Sequence, residues 1–499
     1  MITLGRIKKG AYHDSVSLMR VGKSIAGTDG VAEAALVMGT KSNLGILKAS
    51  GLLISDFAKA TDTDLLLAVK ARDAKTAEAA LNAAEAALKS KAAAVGTSSG
   101  ETLPSDLDGA VKVLPGANLA LISVAGRYAG SLAMRCLEKG LHVMLFSDNV
   151  PIEKEIELKK FAAKKGLLVM GPDCGTAIIN GIPLAFANVV RRGPIGIVAA
   201  AGTGLQEVST IISNEGSGIS QAIGTGGRDV KKEVGGIMFL AGLKALAADP
   251  QTKVILLVSK PPHPSVLNRV RREVRRIRKP VVSLLLGAEG DGPKTLEEAA
   301  LQAVALATGR KIEDLQDRVG SQSRPRRARG RRKYVRGLFS GGTFCAEAQI
   351  ILEDTLGQLY SNAPTGRTKR LKDSLKSQKH SFVDLGEDEF TVGRPHPMID
   401  FSLRNKRILA EAADPETAVI LLDVVLGYGS NMDPAAELAP VIRTASRKVP
   451  VVCSVTGTDG DPQNRSRVVK ALKAAGAIVM PSNAAACAYA GNAAKAGGK

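Results

Sequence analysis

An α/β fold built on parallel sheets is the architecture this sequence predicts, and three observations predict it. Apolar residues make up 45% of the 499 residues while aromatics make up 3%, with no tryptophan. The core must therefore rest on Val, Ile, Leu and Ala, as in sheets covered on both faces. Short apolar runs such as LALISV (119–124) and HVMLFS (142–147) alternate with amphipathic stretches at βαβ spacing. The third observation is that the later part of the chain repeats itself.

In that repeat, AADPQTKVILLV (247–258) returns as AADPETAVILLD (412–423), and KPVVSLLLGAEGDGP (279–293) as VPVVCSVTGTDGDP (449–462). A strand, glycine loop and helix precede each copy: IGIVAAAGTGLQEVSTII (195–212) and VRGLFSGGTFCAEAQIIL (335–352). Length and order together predict two tandem flavodoxin-like domains, at 194–310 and 334–499. Between them SQSRPRRARGRRK marks a basic linker over 311–333.

Ahead of the repeat, 110–190 predicts a Rossmann-like unit. Its strands end in the turns Ala125-Gly126-Arg127, Asp148-Asn149-Val150-Pro151 and Gly171-Pro172-Asp173-Cys174-Gly175. Ligands of parallel sheets bind at such carboxyl ends, which makes Gly126, Arg127, Asn149, Pro151, Pro172 and Cys174 candidate cofactor-binding residues. Residues 1–95 predict a small α+β domain, ferredoxin- or ACT-like. SVSLMRVGKSI and EAALVMGT read as strand and helix–strand, LLLAVKA as a strand, and AKTAEAALNAAEAALKSKAAA as a helix. VGTSSGETLPSDLDG (95–109) has linker composition.

Charge and cysteine content narrow the function classes. The net charge is +20, yet Arg310–Arg336 holds eleven Lys/Arg against three Asp/Glu, and Arg269–Lys279 seven against one. No aromatics interleave with these runs for base stacking, so specific nucleic-acid binding is not expected. The five cysteines are scattered without a CxxC pair, which predicts reduced thiols in the cytosol and no bound metal. No window is apolar enough for a membrane span, and MITLGRIKKGAYHDS lacks a signal-type core.

The candidate site residues follow from glycine loops and one rigid histidine loop. Gly202-Thr203-Gly204 and Ser340-Gly341-Gly342-Thr343 each end a strand and open a helix, where backbone N–H groups and the helix start favour an anion. The competing reading of either loop is a tight turn without ligand, and their repeat-equivalent positions favour function. Gly226 and Gly227, in GTGGRD (224–229), would form an anion nest, with Arg228 as a clamp. Gly22-Lys23-Ser24 imitates a P-loop, but Ser17 stands where the loop needs glycine. GRPHPMID (393–400) offers Arg394 as an anion clamp, His396 as an acid/base or phospho-acceptor, and Asp400 as an orienting carboxylate. His263, in SKPPHPSV, reads as an exposed loop residue. Cys174 and Cys345 read as structural, although Cys345 sits in a helix's first turn, where thiolate is favoured.

GPDCGTAI (171–178), IGIVAAAGTGLQEV and IGTGGRD together resemble the α subunit of succinyl-CoA synthetase over about 117–310, and 334–490 is similar to the ligase domain of its partner β subunit. Both in one chain, behind a small N-terminal domain and with the HPMID loop, resemble FdrA-type acyl-CoA synthetase-like proteins. The resemblance implies a CoA-binding-type domain at 110–190, CoA as cofactor, phosphate as co-substrate, an acyl or carbamoyl substrate, companion subunits and an oligomer. It further implies a link to allantoin catabolism, where such proteins are implicated in carbamoyl transfer between oxalurate and phosphate. Three departures from the family stand out: the ACT-like segment takes the place of the N-terminal CoA-binding half with its GxxG-type loop, a Gly-His-Ala-Gly-like phospho-histidine run is missing near 280–310, and an ATP-grasp domain is missing. A non-catalytic metabolite-binding scaffold is the reading from another class.

Overall fold

The computed structural model describes residues 1–11, 13, 15–96, 104, 106–288, 290, 292–315, 332–391 and 395–497. The chain divides into two compact units, residues 1–117 with 388–395, and 118–387 with 396–499.

The first unit contains β1 (Ile2–Lys8), α1 (Ser15–Ala26), β2 (Val31–Met38), α2 (Lys41–Ala49), β3 (Leu65–Ala71), α3 (Ala74–Gly96) and α4 (Leu107–Val113). Its antiparallel sheet has the order β1-β3-β2. Leu65, Leu67 and Val69 pack with Leu18, Val21 and Leu81, while Leu66 and Ala68 pack with Leu47, Leu52 and Phe57. Burial on both faces explains the unbroken apolar run of β3. The strand expected over 15–25 is helix α1, because buried Leu18, Val21 and Ile25 recur at helical rather than alternating spacing. Gly22-Lys23-Ser24 lies inside that helix.

The second unit opens with β4 (Leu119–Ile122), α5 (Gly126–Glu138), β5 (His142–Leu145), α6 (Ile152–Lys164) and β6 (Val169–Met170), a parallel sheet ordered β4-β5-β6. The hairpin β7 (Thr176–Ile179) and β8 (Ile182–Ala185), which lies within the 110–190 stretch expected of the Rossmann-like unit, instead joins the sheet of the first repeat copy, whose own elements are β9 (Arg192–Ala200), α7 (Gly202–Asn214), β10 (Ile219–Gly224), α8 (Ile237–Ala248), β11 (Val254–Ser259), α9 (Pro264–Val274), β12 (Val281–Leu285) and α10 (Leu296–Thr308). The second comprises β13 (Tyr334–Phe339), α11 (Gly342–Leu356), β14 (Leu359–Ser361), β15 (Lys369–Arg370), β16 (His380–Asp384), α12 (Ser402–Ala413), β17 (Thr417–Val425), α13 (Pro434–Ala445), β18 (Val451–Thr456), α14 (Arg465–Ala474), β19 (Ile478–Met480) and α15 (Asn483–Gly497).

Sheet order is β12-β11-β9-β10-β7-β8 in one copy and β15-β14-β16-β13-β17-β18-β19 in the other. Four neighbouring strands of each sheet therefore run in the same order, β10-β9-β11-β12 matching β16-β13-β17-β18, all parallel. A single core joins the copies, with Leu205, Val208, Leu296 and Val304 beside Phe344, Leu352, Cys487 and Ala490. Helix ends carry their signals: Thr295 caps α10, its hydroxyl accepting from Glu298 N, and Gly309 closes it at φ +72°. Most of the basic linker, and Arg394 of the histidine loop, lie outside the described residues.

Candidate functional site

The two strand–glycine–helix junctions face each other at the carboxyl ends of their sheets. A Cβ added at Gly341 would stand 2.8 Å from Thr203 Oγ1, and one at Gly204 would stand 2.9 Å from Thr343 Cγ2. The starts of α7 and α11 thus abut, and their partial positive charges converge. Within 340–343 the donors divide. Ser340 N, Ser340 Oγ and Gly341 N each donate to the buried carboxylate of Asp423 at 2.8 Å. An anion can be met there only by the helix's own first donors, from Gly342 onward.

Around Gly342 stand two residues that the sequence patterns did not single out. A Cβ at that position would lie 2.5 Å from Asp384 Oδ2 and 2.7 Å from Lys260 Nζ. Lys260 follows β11 of the first copy, and Asp384 ends β16 of the second. Gly386 completes the group, since a Cβ there would meet His396 Nε2 at 3.0 Å and Asp384 Oδ1 at 3.1 Å. Asp384 is buried, and desolvation pushes its pKa up to about 6, with the Lys260 ammonium opposing that rise. His396 Nδ1 accepts from Met398 N at 3.2 Å, which places the neutral ring's proton on Nε2. Burial pushes the His396 pKa down to about 4, so the imidazole is neutral at physiological pH. The carboxylate beside the imidazole is Asp384. Asp400 instead accepts from Ser402 N, the first residue of α12, at 2.7 Å.

The glycine loop 224–229 does different work. Arg228 donates from Nη2 to Val150 O at 2.9 Å, and its Nε stands 2.9 Å from Glu155 Oε2. Fully buried Lys159 donates to Glu155 at 2.8 Å, Asp229 at 2.9 Å and Thr225 O at 3.0 Å. Asp229 also accepts from Phe239 N at 2.7 Å, near the start of α8. These contacts fasten the Rossmann-like sheet to the first repeat copy, and they engage Arg228 in that joint. Gly226 closely approaches Pro172 O, whereas a Cβ at Gly227 would meet open space. At the carboxyl ends of β4 and β5, Arg127, Asn149 and Pro151 are exposed beside the start of α5. Gly126 is needed there because a Cβ would strike Asp148 O at 2.2 Å. Phe146, just after β5, stacks toward Phe186 (5.6 Å), which in turn meets the His396 ring (5.9 Å). A line of rings therefore connects this shelf to the cleft.

All five cysteines are buried, and burial pushes Cys174 up to about 12 and Cys345 well above its ordinary value. At Cys345, desolvation and nearby Asp384 outweigh the helix start. A disulfide-exchange reagent should register fewer than one thiol per native chain and all five after unfolding; rapid labelling of the native chain would contradict this burial. His263 caps α9, its Nδ1 accepting from Ser265 N at 3.3 Å.

A legible signal existed for Lys260: a lysine immediately after a fully apolar parallel strand sits where ligands bind. Its partnership with Asp384 had no such signal, because it depends on how the two copies face.

Comparison with known proteins matches residues 338–493 to the CoA-ligase family model and residues 1–104 to one described as AllF, heavy metal-associated domain. Residues 1–104 contain no cysteine and a single histidine, His13, so a thiolate metal site cannot be built from them. The uncharacterized protein YahF of Escherichia coli (strain K12) is 43% identical over 497 residues, covering 96% of each chain. The α-2 subunit of mitochondrial ADP-forming succinate–CoA ligase from Trichomonas vaginalis is 28% identical over 37% of this chain, which spans 60% of that subunit. The α subunit of malate–CoA ligase from Methylorubrum extorquens is 24% identical over 39% of this chain and 66% of that subunit. The chain belongs to the CoA-ligase family, as an FdrA-type acyl-CoA synthetase-like protein.

Proposed function

We propose that this chain is the group-transfer subunit of an acyl-CoA synthetase-like enzyme, and that its cleft handles an acyl or carbamoyl phosphate. The supporting observation is the meeting of two helix starts with Lys260, Asp384 and His396. Preorganised positive charge of this kind stabilises the charge that develops as a phosphate oxygen attacks a carbonyl. Gly202, Thr203 and Gly204 from one copy, and Gly342 and Thr343 from the other, would line the anion's place. Gly126, Arg127 and Asn149, on the exposed shelf, would hold the pyrophosphate of CoA, which when bound supplies a thiol as acyl acceptor. Companion subunits would supply any ATP-driven step.

A second, narrower reading is the carbamoyltransferase between oxalurate and phosphate, and one observation favours it. His396 is neutral, its Nδ1 lone pair is engaged by Met398 N, and its Nε2 carries the proton. That tautomer donates a hydrogen bond from Nε2 rather than accepting a phosphoryl group there. In the forward step an oxygen of hydrogen phosphate attacks the carbamoyl carbon and the bond from that carbon to the inner nitrogen breaks. Asp384 takes the proton lost by phosphate and delivers it to the departing nitrogen, while His396 Nε2–H donates a hydrogen bond to the oxygen on which negative charge develops. Oxamate and carbamoyl phosphate leave with atoms and charge balanced, and no ATP is consumed.

The test is phosphate-dependent breakdown of oxalurate beside ATP- and CoA-dependent acyl-CoA formation, each with and without companion proteins. Carbamoyl phosphate should form, and His396→Ala should reduce its formation by roughly 10²–10³-fold, the ordinary span for losing one donor to a developing oxyanion. Acyl-CoA formation alone would leave the broader reading standing and remove the narrower one. Silence in both assays would favour the scaffold.

A further inference from the structure

Lys260 is a charged side chain for which the fold alone gives no reason. It comes from the first repeat copy, yet its ammonium lies over Gly342, the first residue of α11 in the second. A cation at a helix start is unfavourable, since the helix already presents partial positive charge there. Among the described residues its ammonium makes no hydrogen bond or close ion pair; Asp384, across Gly342, acts on it only through space. The repeat-equivalent position in the second copy is Val425, buried at the end of β17, so the lysine is not part of the repeated architecture. Gly342 leaves open the place that any side chain would fill.

We propose that Lys260 is the anion-binding residue of the cleft: it holds a phosphate dianion against the start of α11, and Asp384 is the negative charge that the dianion meets on entering. This rests on reading the cleft as a phosphate or acyl-phosphate site, and it names the residue that reads the anion's charge. The cation belongs to one copy and the helix to the other, so the anion bridges the two. The Asp384 carboxylate opposes a second negative charge beside it, which sets phosphate affinity below what lysine and helix alone would give.

The experiment uses the full chain and inorganic phosphate, followed by calorimetry and by the shift of the melting temperature, with circular dichroism confirming each variant's fold. Wild type should bind phosphate saturably. Lys260→Met should weaken binding at least tenfold, Lys260→Arg should remain within a few-fold of wild type, and Asp384→Asn should bind a few-fold tighter. The rise produced by Asp384→Asn is a readout that a merely structural role for the pair would not give. Sulfate should compete and acetate should not, which separates a tetrahedral oxyanion from a substrate carboxylate. Equal phosphate binding in Lys260→Met and wild type, or no binding by wild type, would overturn the assignment. Lys260-dependent phosphate binding in a chain silent toward oxalurate would leave the assignment intact while removing the carbamoyl-transfer reading.

Discussion

Asp423→Ala should lower the melting temperature by roughly 10 °C, the shift expected for about 3–5 kcal/mol in a domain of this size. Asp423 is fully buried and accepts from Ser340 N, Ser340 Oγ and Gly341 N, with Arg404 Nη1 donating to it at 3.1 Å. Arg404 is buried too, stacked on the Phe401 ring at 4.4 Å and bonded to Asp423 O at 2.7 Å. Alanine would leave the guanidinium without its counter-charge and three donors without an acceptor. Breaking a buried pair by removing one partner is far costlier than replacing both. The double variant Arg404→Met with Asp423→Ala should therefore recover part of the loss, but not all, because the donors of residues 340 and 341 stay orphaned. Activity should fall along with stability, since the same carboxylate sets where Gly342 stands relative to Lys260. A melting temperature within 2–3 °C of wild type would mean that the glycine loop is held by packing alone.

How far the site could be read from the chain follows from the same contacts. The repeat makes the two glycine loops visible as equivalent, because a strand–loop–helix junction is a local structure with a local signature. Asp423 is harder: it reads as one more residue of an apolar strand, and only the parallel pairing of β13 with β17 brings it under Ser340. Lys260 and Asp384 are harder still, since each is positioned by its own sheet but acquires its meaning from the other copy. Arg228 shows the opposite error. A glycine loop ending in arginine suggests an anion clamp, yet Val150 O and Glu155, from a different sheet, engage the guanidinium. For Cys345 two rules compete, the helix start favouring thiolate and burial opposing it, and depth decides the outcome without leaving a mark in a short window. Helix α1 is a failure of another kind: its period was present, but a short apolar run suits strand and helix alike.

The stability of wild type should fall as pH rises from about 6 to 8, and Glu347→Gln should flatten that fall by up to about 2 kcal/mol. Glu207 and Glu347 occupy equivalent places in α7 and α11, and each reaches into the opposite copy. Glu207 Oε1 accepts from Asn483 N, at the start of α15, at 3.1 Å, and Thr456 Oγ1 donates to its other oxygen. Glu347 Oε1 accepts from Leu296 N, at the start of α10, at 2.7 Å, and Asn483 Nδ2 donates to Oε2, also at 2.7 Å. The two acids are thus exchanged across the joint, each capping a helix start in the opposite copy. Burial pushes Glu347 up to about 8, with Glu207 and Glu297 adding repulsion, and Glu297 is itself pushed up to about 7. Because the folded value lies above that of the unfolded chain, the stabilisation is present below the unfolded value and is lost as pH rises through the folded one. Glutamine removes the charge that must be buried, while its amide nitrogen replaces one acceptor and leaves one donor facing a donor. The variant should therefore be slightly weaker than wild type at pH 5 and stronger at pH 8, so the two curves cross. Parallel curves of melting temperature against pH would show instead that Glu347 keeps its charge in the joint, with the two helix starts and Asn483 outweighing desolvation.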